Sequence, residues 1–207
     1  EGADFVIISI TPGTILSFKE MRSDVHTPEK YGIYQSVGDT VGPGGLFRAM
    51  RVLPMYEGFA DKIREHCPDA WVINYTNPMT LCTRILYERF PLIKAFGCCH
   101  EVFGTQKILA YALKEFCGIT VDRRMIKTNV LGINHFTWID RAEYQGRDLF
   151  PLYERLVEKY GETGLEGVEK NHWANKEFTS GNKVKFDLFK RYGLIAAAGD
   201  RHLAEFC

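Results

Sequence analysis

Short apolar runs that stop abruptly in polar turns set the rhythm of the first half of the chain. Phe5-Val6-Ile7-Ile8-Ser9-Ile10 is rich in β-branched residues and ends at Thr11-Pro12-Gly13. Such a run reads as a strand buried on both faces of a parallel sheet. The same grammar recurs at Trp71-Val72-Ile73-Asn74-Tyr75, closed by Thr76-Asn77-Pro78, and from Ile93 to Cys98. Helical patterns lie between. Leu46 to Cys67 carries Phe47, Met50, Leu53 and Ile63, with Pro54 expected to kink or interrupt it. Met79 to Phe90 and Thr105 to Phe116 are further helix candidates. Strand, helix, strand, helix, strand at this spacing predicts βαβ units, an α/β fold with a doubly wound parallel sheet.

The texture changes after Gly118. Met125 to Leu131 and Phe136 to Tyr144 read as strands, the second followed by a Gln145-Gly146-Arg147-Asp148 turn. Leu149 to Tyr160 reads as a helix, Glu162 to Lys170 as a Gly- and Glu-rich loop, and Phe186 to Tyr192 as a short helix before Gly193. A boundary near residue 120 is expected, with an α/β part over 1–120 and an α+β part over 121–207.

Ligands of open α/β sheets sit at the carboxyl ends of the strands. Here those ends carry Thr11 and Pro12, then Asn74, Thr76 and Asn77, then Cys98, Cys99, His100 and Glu101. "GINHF" adds Asn134 and His135, and "AGDRHLAEF" adds Asp200, Arg201, His202 and Glu205. All could bind a metal or a sugar. Each also has an ordinary reading: a buried thiol, a hydrogen-bonded core imidazole, an Asn-Pro turn. A Cys and a His on separate strands lack the close spacing of a zinc motif. Residue types alone predict an α/β domain with a polar cleft.

Composition narrows the partners. Lys plus Arg balances Asp plus Glu at 26 each, so no bulk charge draws the chain to nucleic acid or to an anionic membrane. The six cysteines follow no secreted-scaffold spacing, which points to a reducing compartment and a cytoplasmic protein. The chain opens on Glu1-Gly2-Ala3-Asp4 and stops at Cys207 beside a dense polar motif, as a fragment of a longer protein would.

Six motifs in order, "ADFVIISITPG", "GDTVGPGG", "INYTNPMT", "GCCHEVFGTQ", "GINHFTW" and "AGDRHLAEF", resemble glycoside hydrolase family 4. These are NAD- and metal-dependent glycosidases related to lactate and malate dehydrogenases, and an exception to the paired-carboxylate scheme of sugar hydrolysis. Cys-His-Glu-Val, where other members carry Cys-Asp-Met-Pro or Cys-His-Ser-Val, resembles the α-galacturonidase-like branch. The resemblance implies that 1–120 is the C-terminal portion of a Rossmann-like dinucleotide-binding domain. Residues 121–207 would begin an incomplete substrate and metal domain.

By the same resemblance, Cys99 and His135 are metal ligands, usually for Mn²⁺. Asn77 contacts sugar hydroxyls, Asn74 lies near the nicotinamide side, and Thr11 and Pro12 line the dinucleotide. The implied reaction hydrolyses an α-glycosidic bond: oxidation at C3, metal-assisted loss of the C2 proton, elimination, water addition and re-reduction. A soft thiolate with an imidazole suits Mn²⁺ or Fe²⁺. The Asp that follows the ligand Cys in the phosphate-sugar members is replaced here by His100, a candidate acid. Asp200 is the preferred base, with Asp39 and Tyr192 as alternatives, and His202 could orient or replace any of them. A uronate carboxylate needs a cation, and Arg201 and Arg48 are the candidates. The Gly42-Pro43-Gly44-Gly45 turn could present N–H groups to an anion or be plain turn chemistry.

The sequence departs from the family pattern in lacking the glycine fingerprint for the pyrophosphate and the acidic residue for the ribose. It is expected to carry the metal and sugar half of the site, in a full-length protein that forms homo-oligomers. Alternatives stay open: an α-galactosidase or α-glucosidase of the same family, a lactate- or malate-type dehydrogenase, or a non-catalytic fragment.

Overall fold

Three parallel strands pair in the order β1 (Phe5–Ile8), β2 (Trp71–Asn74), β3 (Lys94–Gly97), with Phe5 opposite Trp71 and Trp71 opposite Lys94. The computed structural model describes residues 1–11, 18–165 and 181–207. Period-two alternation sends Ile8, Val72 and Ala95 to one face, where they meet α2 (Gly42–His66) and α3 (Met79–Arg89) in a shared core. Ala49, Val52, Tyr56, Ala60 and Ile63 recur every three or four residues along α2 and are all buried. Burial of the larger aliphatic side chains among them, Val52 and Ile63, is worth about 1.5–3 kcal/mol each. That stripe explains why Pro54 neither breaks nor ends the helix, whose 25 residues run through it.

The other face of this sheet differs from the two-sided burial expected. Phe5 and Ile7 are each 65% exposed, and Trp71 meets Phe96 edge to face while both remain exposed. A helix unannounced by the sequence reading, α1 (Phe18–His26), precedes α2; none of its residues is fully buried. The Gly42–Gly45 run is not a separate turn but the first turn of α2. Gln35 secures it, accepting from Gly44 N at 2.8 Å and donating to the Val41 carbonyl at 2.7 Å. A Cβ on Gly45 would stand 2.6 Å from the Thr40 carbonyl carbon, so glycine is required there.

The second unit is antiparallel. β4 (Lys127–Ile133) pairs with β5 (Phe136–Tyr144), and β5 also pairs with β6 (Arg147–Asp148) and with β7 (Ile195–Ala196). The helices are α4 (Glu101–Cys117), α5 (Phe150–Tyr160), α6 (Lys183–Tyr192) and the short α7 (Asp200–Leu203). Leu109, Leu113, Ile139, Tyr153, Leu156 and Phe186 fill one core between α4, α5, α6 and the sheet. Helix α6 starts three residues before the expected Phe186, because Lys185 in its first turn is itself buried.

The chain thus holds a Rossmann-like parallel sheet with helices, residues Glu1–Cys99, and an α+β unit, His100–Cys207. No helix among the described residues is long and apolar enough to cross a membrane.

Candidate functional site

In the first unit, the end of β2 is tied down by its own side chains. Asn74 is fully buried; its Oδ1 accepts from Tyr56 Oη at 2.5 Å and from Thr76 N at 3.0 Å, and its Nδ2 donates to the Thr76 carbonyl at 3.1 Å. Thr76 Oγ1 accepts from Ile10 N at 2.9 Å, which fixes the chain just before Thr11. Asn77 Oδ1 accepts from Met79 N at 3.3 Å, leaving its Nδ2 out of that turn. Thr11 is exposed; Pro12 lies outside the described residues.

Other expected residues of this unit stand as follows. Cys98 N donates to the Asn74 carbonyl at 2.9 Å, so Cys98 and Cys99 continue directly from β3 beside the β2 end. Both are half-buried thiols outside any disulfide. Asp39 is buried and accepts from Thr40 Oγ1 at 3.0 Å. Arg48, on the second turn of α2, has a buried Nε with no hydrogen-bond partner among the described residues. Its charge partly offsets the burial that pushes the Cys82 thiol up to about 12. Burial likewise holds the Tyr56 hydroxyl well above its ordinary range.

In the second unit, a two-residue loop between β4 and β5 presents Asn134 and His135. His135 has φ 66°, a left-handed conformation unusual for a residue with a Cβ. Glu101 stabilises it: Oε2 accepts from His135 N at 3.1 Å and Oε1 from Asn134 Nδ2 at 3.1 Å. Gly132, at φ 99°, lets the strands close, since a Cβ there would sit 2.6 Å from the Phe136 carbonyl oxygen. The buried imidazole of His135 stacks on that of His202, ring centroids 3.7 Å apart and planes 23° apart.

His202 is carried by α7, which Asp200 opens; Asp200 Oδ1 accepts from Lys185 N at 3.2 Å. Arg201 is exposed. His100 is an exposed residue just ahead of α4, where its carbonyl accepts from Gly104 N at 3.1 Å. Tyr192 packs edge to face on Trp138 at the far end of α6, 62% exposed. The structure therefore brings together His135, His202, Asp200, Asn134 and Glu101, and leaves Tyr192 outside that group.

Lys185 went unread, and Glu101 was read only as one of the polar residues that follow the third strand. A charged residue in the first turn of a helix is ordinarily solvated, and nothing in "GCCHE" marks Glu101 as one that turns inward.

The family comparison decides what these clusters belong to. The model of the family 4 glycosyl hydrolases matches residues 1–115, and the model of their C-terminal domain matches 130–206. The chain belongs to family 4 of the glycosyl hydrolases. Among its relatives in that family, an alpha-galacturonidase of Thermoanaerobacter italicus is 67% identical over all of this chain. The family 4 chain spans 44% of that relative's length. A Bacillus subtilis crystal structure, provisionally named a glucosidase, superposes with a TM-score of 0.92 at 57% identity, covering 99% of this chain and 46% of that one. A 6-phospho-alpha-glucosidase from gut microorganisms, solved with NAD and Mn²⁺, shares the fold at 18% identity and a TM-score of 0.74, over 97% of this chain and 45% of that one.

Proposed function

We propose that this chain is part of an NAD- and Mn²⁺-dependent α-galacturonidase. The observation that carries the reading is the 67% identity to a protein of that name across the whole chain. Its substrate is a small α-galacturonide, its compartment the cytoplasm, and its full-length form a homo-oligomer.

The donor chemistry fits a divalent transition metal: a reduced thiol at Cys99 and a buried imidazole at His135, held at its backbone by Glu101. When bound, NAD supplies reversible hydride removal at C3 of the sugar, and the metal supplies charge stabilisation at the neighbouring oxygens. This chain's contribution to the dinucleotide is limited to its strand-end residues Thr11, Pro12 and the Asn74 turn, since the glycine fingerprint is not in the sequence. Asn74 acts there through shape, its side chain being spent on Tyr56 and Thr76.

Asp200 takes the C2 proton, with Asp39 as the second candidate base. His100, an exposed imidazole, delivers a proton to the leaving oxygen. Asn77 and His202 hold sugar hydroxyls. Arg48, with its unpartnered Nε, and Arg201 are the cations for the C6 carboxylate.

The test uses the parent-length protein with NAD⁺, Mn²⁺ and a reductant on α-linked galacturonides. Release of galacturonate that is lost with EDTA, without NAD⁺, or in Cys99→Ser supports the reading. Cleavage of galactosides or glucosides instead sinks the substrate assignment but keeps the chemistry. Turnover that survives EDTA and Cys99→Ser overturns both.

A further inference from the structure

The second unit buries a cation that none of these roles uses. Lys185 is 3% exposed, and its Nζ donates to Thr105 Oγ1 at 3.1 Å and to the Ala197 carbonyl at 3.2 Å. Thr105 Oγ1 donates to the same carbonyl at 2.9 Å, so α4, α6 and the end of β7 meet at one point. An ammonium in such a place is costly unless opposite charge answers it. Burial pushes Lys185 down to about 8, and Asp200 and Glu101 are the two carboxylates that act against this. Each of them serves one of the stacked imidazoles. Glu101 holds the His135 backbone, and Asp200 opens the helix that carries His202. The Lys185 backbone N–H binds Asp200 as well, so one residue grips that carboxylate's turn from both its main chain and its side chain.

Packing alone does not account for a lysine here. Methionine would fill a similar volume in a core that already holds Phe186, Ile195 and Ala197, with no desolvation cost. What methionine could not do is hold the Ala197 carbonyl and balance two carboxylates that frame two histidines.

We propose that Lys185 is a positioning residue of this site, whose ammonium pins the Ala197–Asp200 turn to α4 and so sets Asp200 and His202 against His135. The proposal rests on the functional reading above, in which Asp200 and His202 serve the sugar.

The experiment compares the parent-length enzyme with Lys185→Met, Lys185→Ala and the milder Thr105→Val, which removes one partner of the ammonium and keeps the volume. Lys185→Met is expected to lower kcat by about 10- to 100-fold, the range typical of residues that orient a site, with KM changed less than about threefold. Thr105→Val shifts kcat the same way by less. Amide hydrogen exchange should quicken by about tenfold in peptides spanning 195–206 and stay unchanged in those from α5. In Lys185→Ala, added primary alkylamines should restore kcat and slow that exchange, while alcohols of equal size should not. Unchanged kcat and exchange overturn the proposal. So does exchange quickened throughout the second unit with no response to amines, which would make Lys185 a packing residue only. If the wild type cleaves no galacturonide, the functional reading fails, and the exchange and amine arms still decide the role of Lys185.

Discussion

Asn74 in the first unit and Lys185 in the second are both buried polar side chains beside a strand end, and they hold their surroundings by opposite means. Asn74 is neutral, and both of its side-chain polar atoms have partners, so the β2 end is a closed unit of amide, hydroxyl and backbone. Lys185 belongs to a charged group with Glu101 and Asp200, in which neighbouring atoms are left over: Asn134 Oδ1 and Tyr153 Oη are buried without a hydrogen-bond partner among the described residues. Tyr153 is pushed well above its ordinary range by its burial and then by the Asp200 charge. A satisfied neutral network fixes a shape and asks nothing further. A charged network loses more when any one member is removed, because the charges left behind stay buried.

That contrast can be broken by substitution, most severely at Glu101. Glu101→Ala strips the partners from Asn134 and His135 N and leaves Lys185 less balanced; denaturant unfolding should show a loss of about 3–5 kcal/mol, as for one half of a buried pair. Asn74→Ala leaves the buried Tyr56 hydroxyl and Thr76 N unanswered and should cost about 2–3 kcal/mol by the same measurement. A larger loss at Asn74 than at Glu101 would reverse the ranking of the two networks.

A pH series sharpens the comparison further. Lys185 titrates at about 8 in the folded chain against an ordinary 10.5. Below about 8 both states hold the proton and the fold bears the full cost. From about 8 to 10.5 the folded state releases a proton that the unfolded chain keeps, so this group's contribution to stability rises with pH. Cys82 runs the other way above its ordinary 9.0, because burial pushes its thiol up to about 12 and the unfolded chain deprotonates first. The difference between wild type and Lys185→Met cancels Cys82. Any stability advantage of the methionine variant should therefore shrink as pH climbs through that window; an advantage flat with pH would show that Lys185 holds its proton as tightly in the fold as in the unfolded chain. The smallest effect belongs to the exposed Asp61–Arg89 pair, 2.8 Å apart. Although Arg89 holds the Asp61 carboxyl below its ordinary range, Asp61→Asn should leave the unfolding midpoint where it is.

Much of the architecture was legible because burial follows periodicity. The alternation from Phe136 to Tyr144 predicts β5 with the ends it has, and the apolar runs before Thr76 and Cys98 locate β2 and β3 to within a residue or two. The polar residues that close these runs, Asn74, His135 and Asp200, were legible for the same reason, since an apolar run must stop somewhere. Helix α1 was not, because its apolar positions, Phe18, Met21 and Val25, are few among charged and polar residues and none of them is fully buried. Lys185 was not either, and Glu101 was legible only as a polar residue at a strand end. Their meaning lies in each other, 84 positions apart in a chain of 207 residues, and no local pattern marks a charge that will be answered from that distance.

The left-handed backbone at position 135 carries a lesson for anyone who would evolve this protein. Glycine or asparagine would sit at φ 66° with less strain than histidine. A library sorted only for thermal resistance should therefore drift away from imidazole at 135, while one sorted for sugar cleavage should keep it. Selection for ruggedness and selection for turnover would part company at this one residue.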